Sequence, residues 1–379
     1  MKLFTRVPVK RELENYFVEF ENGKKLPLSR IIQQYMNEEE PKEWITVRGN
    51  HIPIMEGESK DEAVQKFLKK KGLDKTDKSD YNISRGGTHF SDYAASRDDK
   101  SVTPEKILKQ IGNFVSHSGK RYSGAEIQKI ASQLDAKNKE IRDKKQQTHD
   151  KYRKSGERET AIYEPDRVIE HNKVLSHFFK DIKNKRPAKG EKPTFIMLGG
   201  RGGSGKSKFA GEVYDKDKFI VLDADEIKKL LPEYKGWNAA EVHQESSDIL
   251  DKALRRAKNL GLNVVLDATM KGLETSKKRL QQFKDAGYRT EAHYMYLPRQ
   301  KSAERAVKRY FGEEGGRYVP LEVLLDMKTN ESTFDELKEM VDGWSFSDND
   351  VDFNEAPKLV EKGGEFYYKK GGPVWKRKK

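Results

Sequence analysis

Two hydrophobic patterns divide the chain. After Pro193, short continuous apolar runs alternate with stretches of helical period. FIML (195–198), FIVLD (219–223), NVVLD (263–267) and HYMYL (293–297) read as buried strands, with helices over 239–260 and 274–286 between them. This alternation predicts an α/β domain with a mainly parallel sheet. Ahead of it lies a polar, mostly helical region. Ile107, Ile111 and Val115 recur every four residues, Ile127, Ile130 and Leu134 every three or four, and Val168 to Phe179 carries one more amphipathic helix. Near the start, WITVRGNHIPI (44–54) reads as a hairpin about Gly49-Asn50.

The breaks in these patterns suggest four parts. Residues 1–73 form a small α+β segment and 74–190 a polar linker followed by a charged helical region. Residues 191–362 form the α/β domain and 363–379 a basic tail. The boundary before 191 is set by KNKRPAKGEKP (183–193), where Pro, Gly and charge cluster. The stretch 135–159 is almost wholly polar, which predicts a solvent-bridging helix or a disordered tether.

Composition sharpens the division. The 379 residues are 34% hydrophobic and 36% charged, too little apolar matter to pack the whole chain as one dense core. Lys and Arg outnumber Asp and Glu by 75 to 62, a net charge of +13. That favours anionic partners such as nucleotides or nucleic acid. The absence of cysteine excludes disulfides, thiolate zinc sites and cysteine nucleophiles. No run approaches the roughly 20 apolar residues of a membrane span, so a cytoplasmic protein without membrane contact is expected.

The strongest chemical signal is GRGGSGKS, 200–207, which satisfies G-x-x-x-x-G-K-[ST] between a strand and a helix. Gly200, Gly202, Gly203 and Gly205, with Ser204, let the backbone turn its N–H groups inward around phosphate oxygens. Lys206 then reaches the β- and γ-phosphates of ATP, and Ser207 offers a hydroxyl to Mg²⁺. The next strand ends in DADE, placing Asp223 and Asp225 at the carboxyl edge where ligands gather. A carboxylate there can accept the proton of an attacking hydroxyl or simply cap the following helix. Asp267 ends the third predicted strand, where a carboxylate can hold a magnesium-bound water, and Thr269 follows it. Arg305, Lys308, Arg309 and Arg317 flank a glycine-rich turn, able to clamp a phosphoryl group or to form a basic helix face. His243 has no partner spacing and reads as a surface or packing residue.

Together these motifs resemble the zeta-toxin family of kinases over about 192–359. The resemblance rests on the phosphate loop, LDADEIKKLLPEY, HQESS, VVLDATM, AGYRTEAHYMYLP, RAVKRYFGEEGGRYVP and the terminal strand in WSFSDNDV. It implies that Lys206 and Ser207 bind ATP and magnesium, that Asp225 is the general base, and that Glu245 and Thr269 contact the acceptor alongside Asp223. It further implies that Arg309 and Arg317 stabilise the γ-phosphate, and that the acceptor is a hydroxyl of UDP-N-acetylglucosamine. Asp267 and Lys271 stand where glutamate and arginine are common in the family. A polynucleotide 5′-hydroxyl kinase is the competing reading. WITVRGNHIPI is similar to segments of bacteriophage head-associated proteins, which implies a virion setting. Residues 1–185 would then dock either a phage structural partner or an antitoxin-like inhibitor.

Overall fold

Six consecutive residues, Thr194–Gly199 (β1), are all buried, as expected of a central parallel strand covered on both faces. The computed structural model describes residues 17–19, 25–27, 43–47, 50–54, 66, 89–313, 316–352 and 355–365. The chain divides at Thr88/His89 into two units. In the first, Phe17–Glu19 pairs antiparallel with Lys25–Pro27, and Glu43–Val47 with Asn50–Ile54, the latter being the expected hairpin. The linker residues 74–88 and, of the basic tail expected over 363–379, residues 366–379 lie outside the described residues; Gly363 and Gly364 belong to the last strand.

The second unit is built on β1 with Ile220–Asp223 (β2), Val264–Asp267 (β3), Arg289–Tyr296 (β4), Gly343–Asp348 (β5) and Lys358–Gly364 (β6). Their order is β2-β3-β1-β4-β5-β6, parallel throughout except for the antiparallel β5/β6 pair. The helices, in chain order, are Phe90–Ala95 (α1), Pro104–Ile111 (α2), Gly124–Asp143 (α3), Thr148–Tyr152 (α4), Pro165–Phe178 (α5), Lys206–Val213 (α6), Ala224–Lys229 (α7), Ala239–Asn259 (α8), Leu273–Asp285 (α9), Arg299–Gly312 (α10), Leu321–Leu325 (α11) and Asn330–Lys338 (α12). The order reverses direction at β1, and the carboxyl ends of β1, β2 and β3 converge there, the switch point where open α/β sheets bind ligands.

The expected break near residue 190 is not where the chain divides. Helix α1 belongs to the sheet's own core. Phe90 is fully buried and stacks on Phe346 of β5 at 3.9 Å between centroids, with Phe334 and Trp344 at its edges. Its helix start is held by Asp335, whose two oxygens accept from the N–H groups of Phe90 (2.9 Å) and Ser91 (3.0 Å), satisfying donors that have no partner within the helix. A second core joins Ile107, Leu108 and Ile111 of α2 and Ile127, Ala131 and Leu134 of α3 to Ala303, Val307 and Phe311 of α10 and Leu321 and Leu324 of α11. Ser123 and Glu126 form a reciprocal capping box that starts α3.

The polar stretch 135–159 is neither tether nor solvent bridge. Asn138 is fully buried and bonds the carbonyl of Trp237 and the amide of Ala240. Asp135 accepts from the Tyr318 hydroxyl at 2.8 Å. Asp248 of α8, also fully buried, accepts from Arg153, the Arg158 amide and Tyr163. Polar residues here pack because each finds a partner. Among the described residues no helix is long and apolar enough to cross a membrane.

Candidate active site

The loop between β1 and α6 takes the shape its glycines permit. Gly200 has φ +134, and a Cβ there would collide with the Met295 carbonyl and lie 2.7 Å from Ser204 Oγ. Gly205, at φ +93, precedes the first turn of α6. The start of α6 therefore presents to the loop N–H groups that have no partner within the helix, together with the positive end of its dipole. The Lys206 ammonium folds back over the loop, donating to the carbonyls of Gly200 (2.8 Å) and Arg201 (3.2 Å), and lies 3.9 Å from Asp267. Ser207 is exposed, its hydroxyl donating to Asp267 at 3.1 Å. Gly202 and Ser204 complete the loop. Asn349, just past β5, donates to the Ser204 carbonyl at 2.8 Å, and Arg305 of α10 to that of Gly203 at 3.4 Å.

Beside the loop, β2 and β3 pair in register, so Asp223 lies directly across from Asp267. Asp223 also caps α7, accepting from the Asp225 amide at 2.8 Å. Burial, and then the neighbouring charges of Asp225 and Asp267, push the Asp223 carboxyl up from the usual range. Asp225 is shifted the opposite way. Burial works against its charge, but Lys228 at 3.0 Å and Arg317 at 2.5 Å hold it ionised and lower its pKa. The cap and the charged role, alternatives from sequence, are thus divided between the two acids.

Arg309 and Arg317 approach this pair from α10 and the loop beyond it. Burial, followed by the charge of Arg317, lowers the Arg309 pKa. Nε and Nη2 of Arg309 and Nε of Arg317 are buried with no hydrogen-bonding partner. Unpaired guanidinium N–H groups in such a place are costly, and an anion between them would satisfy them. Ser207 and Asp267 present two adjacent oxygens suited to Mg²⁺. Among the described residues no group of three or more metal-binding side chains is assembled, so Mg²⁺ would need nucleotide oxygens to complete its shell, as is usual for that ion.

Of two residues expected at the acceptor, Thr269 lies against the phosphate loop, its carbonyl accepting from the Gly200 amide (3.4 Å) and from Asn330 (2.6 Å). Glu245 does not join the group at all. It is fully buried on α8, accepting from Arg167 Nε (2.6 Å) and Nη2 (2.8 Å) and paired with His171 Nε2 (2.6 Å), both on α5. Arg167 also forks onto Glu233 at 2.9 and 2.8 Å. Burial opposes the Glu245 charge, yet the hydrogen bonds from Arg167 and His171 bring its pKa down to about 2. His243, two residues earlier, is exposed.

Sequence reasoning missed Lys228, Asn349 and the role of Arg201. Lys228 was within reach of inspection, because it stands three residues after Asp225 on a helix. Asn349 and Arg201 act through contacts distant in sequence and leave no local pattern.

This fold and loop define a P-loop domain. Residues 177–349 match the family model described as zeta toxin. Toxin zeta of Enterococcus hirae and of Streptococcus pyogenes are each 25% identical over 148 residues, 37% of this chain and 51% of theirs. The chain thus spans about half the length of those curated relatives. Among solved structures, one from the PezAT chromosomal toxin–antitoxin system of Streptococcus pneumoniae aligns over 53% of this chain and 81% of its own, with 19% identity and a TM-score of 0.40. An AvrRxo1-ORF1:-ORF2 structure with ATP aligns over 59% of this chain and 78% of its own, with 17% identity and a TM-score of 0.45.

Proposed function

We propose that the chain transfers the γ-phosphate of ATP to a hydroxyl of a small-molecule acceptor, a nucleotide-sugar such as UDP-N-acetylglucosamine. The observation that carries this reading is the set of buried, unpartnered N–H groups on Arg309 and Arg317 beside Asp225 and Lys206. Lys206 and the loop amides hold the β- and γ-phosphates. Arg309 and Arg317 meet the charge that spreads over the transferring group. Ser207 and Asp267 would hold Mg²⁺, which when bound screens the phosphate oxygens from one another.

Asp225 accepts a hydrogen bond from the attacking hydroxyl and takes its proton as the new O–P bond forms and the bond to the β-phosphate oxygen breaks, leaving ADP. Its lowered pKa keeps it ionised at neutral pH and suits it to orienting the nucleophile, with proton transfer late in the step. Asp223, opposite Asp267, lines the acceptor side. An antitoxin-like inhibitor would act by covering this edge of the sheet.

The test is mass spectrometry of UDP-N-acetylglucosamine incubated with ATP, Mg²⁺ and protein. A gain of about 80 mass units, the generic phosphoryl increment of this reaction class, is expected with wild type and lost with Asp225→Asn. No gain from protein shown to bind ATP sinks the nucleotide-sugar assignment, and equal gain from both sinks the role of Asp225.

A further inference from the structure

Arg201 occupies the second position of the phosphate loop, yet its side chain turns away from the loop into the protein and is 1% exposed. Its N–H groups are all engaged. Nε donates to the Met327 carbonyl (3.1 Å) and Nη1 to the Leu297 carbonyl (2.9 Å). Glu331 of α12 takes Nη1 at 2.8 Å and Nη2 at 2.9 Å. The remaining bond, from Nη2 at 3.0 Å, goes to Asp98.

Asp98 lies 79 residues before the first family-matched residue (177 − 98), just past α1. Its side chain is 7% exposed. One oxygen is shared by Arg201 Nη2 and Arg299 Nε (2.9 Å). The other accepts from the Arg299 amide (2.9 Å) at the start of α10 and from the Tyr296 hydroxyl (3.4 Å) at the end of β4. One carboxylate therefore joins the phosphate loop to the helix that carries Arg305 and Arg309.

We infer that Asp98 is a positioning residue for the nucleotide site: through Arg201 and Arg299 it sets the phosphate loop against α10. The reasoning rests on the nucleotide-binding reading above. The carbonyl of Arg201 is itself an acceptor for Lys206 and for the Ser204 amide (3.2 Å). Anchoring the Arg201 side chain therefore fixes the backbone against which the lysine and the loop are arranged. Without Asp98, one edge of a buried guanidinium loses its partner, and so does Arg299. The loop and α10 can then shift relative to each other by the fraction of an ångström that a phosphate site does not tolerate. The segment 89–99 thus belongs to the nucleotide site although it lies outside the family-matched residues.

The experiment compares Asp98→Asn with Asp335→Asn in the full chain. Asp335 anchors the same segment through the amides of Phe90 and Ser91 and touches nothing in the loop. Affinity for ATP·Mg²⁺ is measured by calorimetric titration, and melting temperature alongside. Asp98→Asn is expected to weaken ATP at least about tenfold, in line with the loss of other supporting contacts around a site. Asp335→Asn should leave affinity within about twofold even where it lowers the melting temperature as much. Unchanged affinity in Asp98→Asn, or an equal loss in Asp335→Asn, overturns the inference. If Asp98→Asn does not fold, Arg201→Lys carries the same expectation, and wild-type affinity in that variant overturns it. If wild type binds no ATP, the nucleotide reading fails separately. The positioning claim is then decided by hydrogen exchange at the amides of 200–207. Faster exchange in Asp98→Asn but not in Asp335→Asn supports it, and equal exchange overturns it.

Discussion

Replacing Glu245 by Gln separates two roles that one residue cannot fill at once. The family resemblance puts this carboxylate against the acceptor, whereas the structure seals it beneath α5. Its side chain is fully buried and its charge is met by Arg167 and His171. Glutamine keeps the shape and removes the charge. The folded pKa of about 2 against an ordinary 4.5 corresponds to about 2.5 pH units at 1.36 kcal/mol each, or roughly 3 kcal/mol of stability at neutral pH. Breaking one side of a buried pair costs about 3–5 kcal/mol, and continued pairing of Arg167 with Glu233 favours the low end. At roughly 2–4 °C per kcal/mol for a domain of this size, Glu245→Gln should melt roughly 6–12 °C below wild type at pH 7.

The sign of the pH dependence follows from the depressed pKa. The stabilisation is complete above pH 4.5 and is lost as pH falls toward 2, so the gap between variant and wild type should narrow from about pH 5 to pH 3. Thermal and urea unfolding across that range provide the assay. A melting point within about 1 °C of wild type at pH 7, or a gap independent of pH, refutes the reasoning. Wild-type stability with lost phosphoryl transfer would restore Glu245 to the acceptor.

Two further outcomes are expected. Phe90→Ala should lose about 3–5 kcal/mol, because the ring is fully buried against Phe346, Phe334 and Trp344; denaturant unfolding with a loss below about 1 kcal/mol would contradict α1 as part of the sheet core. In the transfer assay, Asp225→Asn should lower turnover by about 10²–10⁴, and a loss of less than about tenfold would mean that another group takes the proton.

β1, β2 and β3 were legible because they are short apolar runs that end in acids or glycine. β4 is longer than expected, running Arg289–Tyr296, since the polar side chains of Glu291 and His293 are buried by pairing with one another. β6, LVEKGG after Lys358, has no apolar run and forms by antiparallel pairing with β5. The phosphate loop could be read whole, because its chemistry is set by a contiguous pattern. The network over 89–178 could not. Asp98, Asn138 and Arg167 look like solvated polar residues until partners in β4, α8 and α10 are brought to them by the fold. The same blindness left Glu245 facing a substrate when its partners were in α5.

The central claim, that Arg309 and Arg317 wait for a γ-phosphate, is tested most directly by the ratio of ATP to ADP affinity. Calorimetric titration of wild type should give ATP at least about tenfold tighter than ADP, because charged hydrogen bonds to the terminal phosphate contribute about 1.5–3 kcal/mol. In Arg309→Ala the ratio should collapse toward one while ADP affinity stays near wild type. Equal affinity for ATP and ADP in the wild-type protein, or an equal loss for both nucleotides in the variant, would contradict the account.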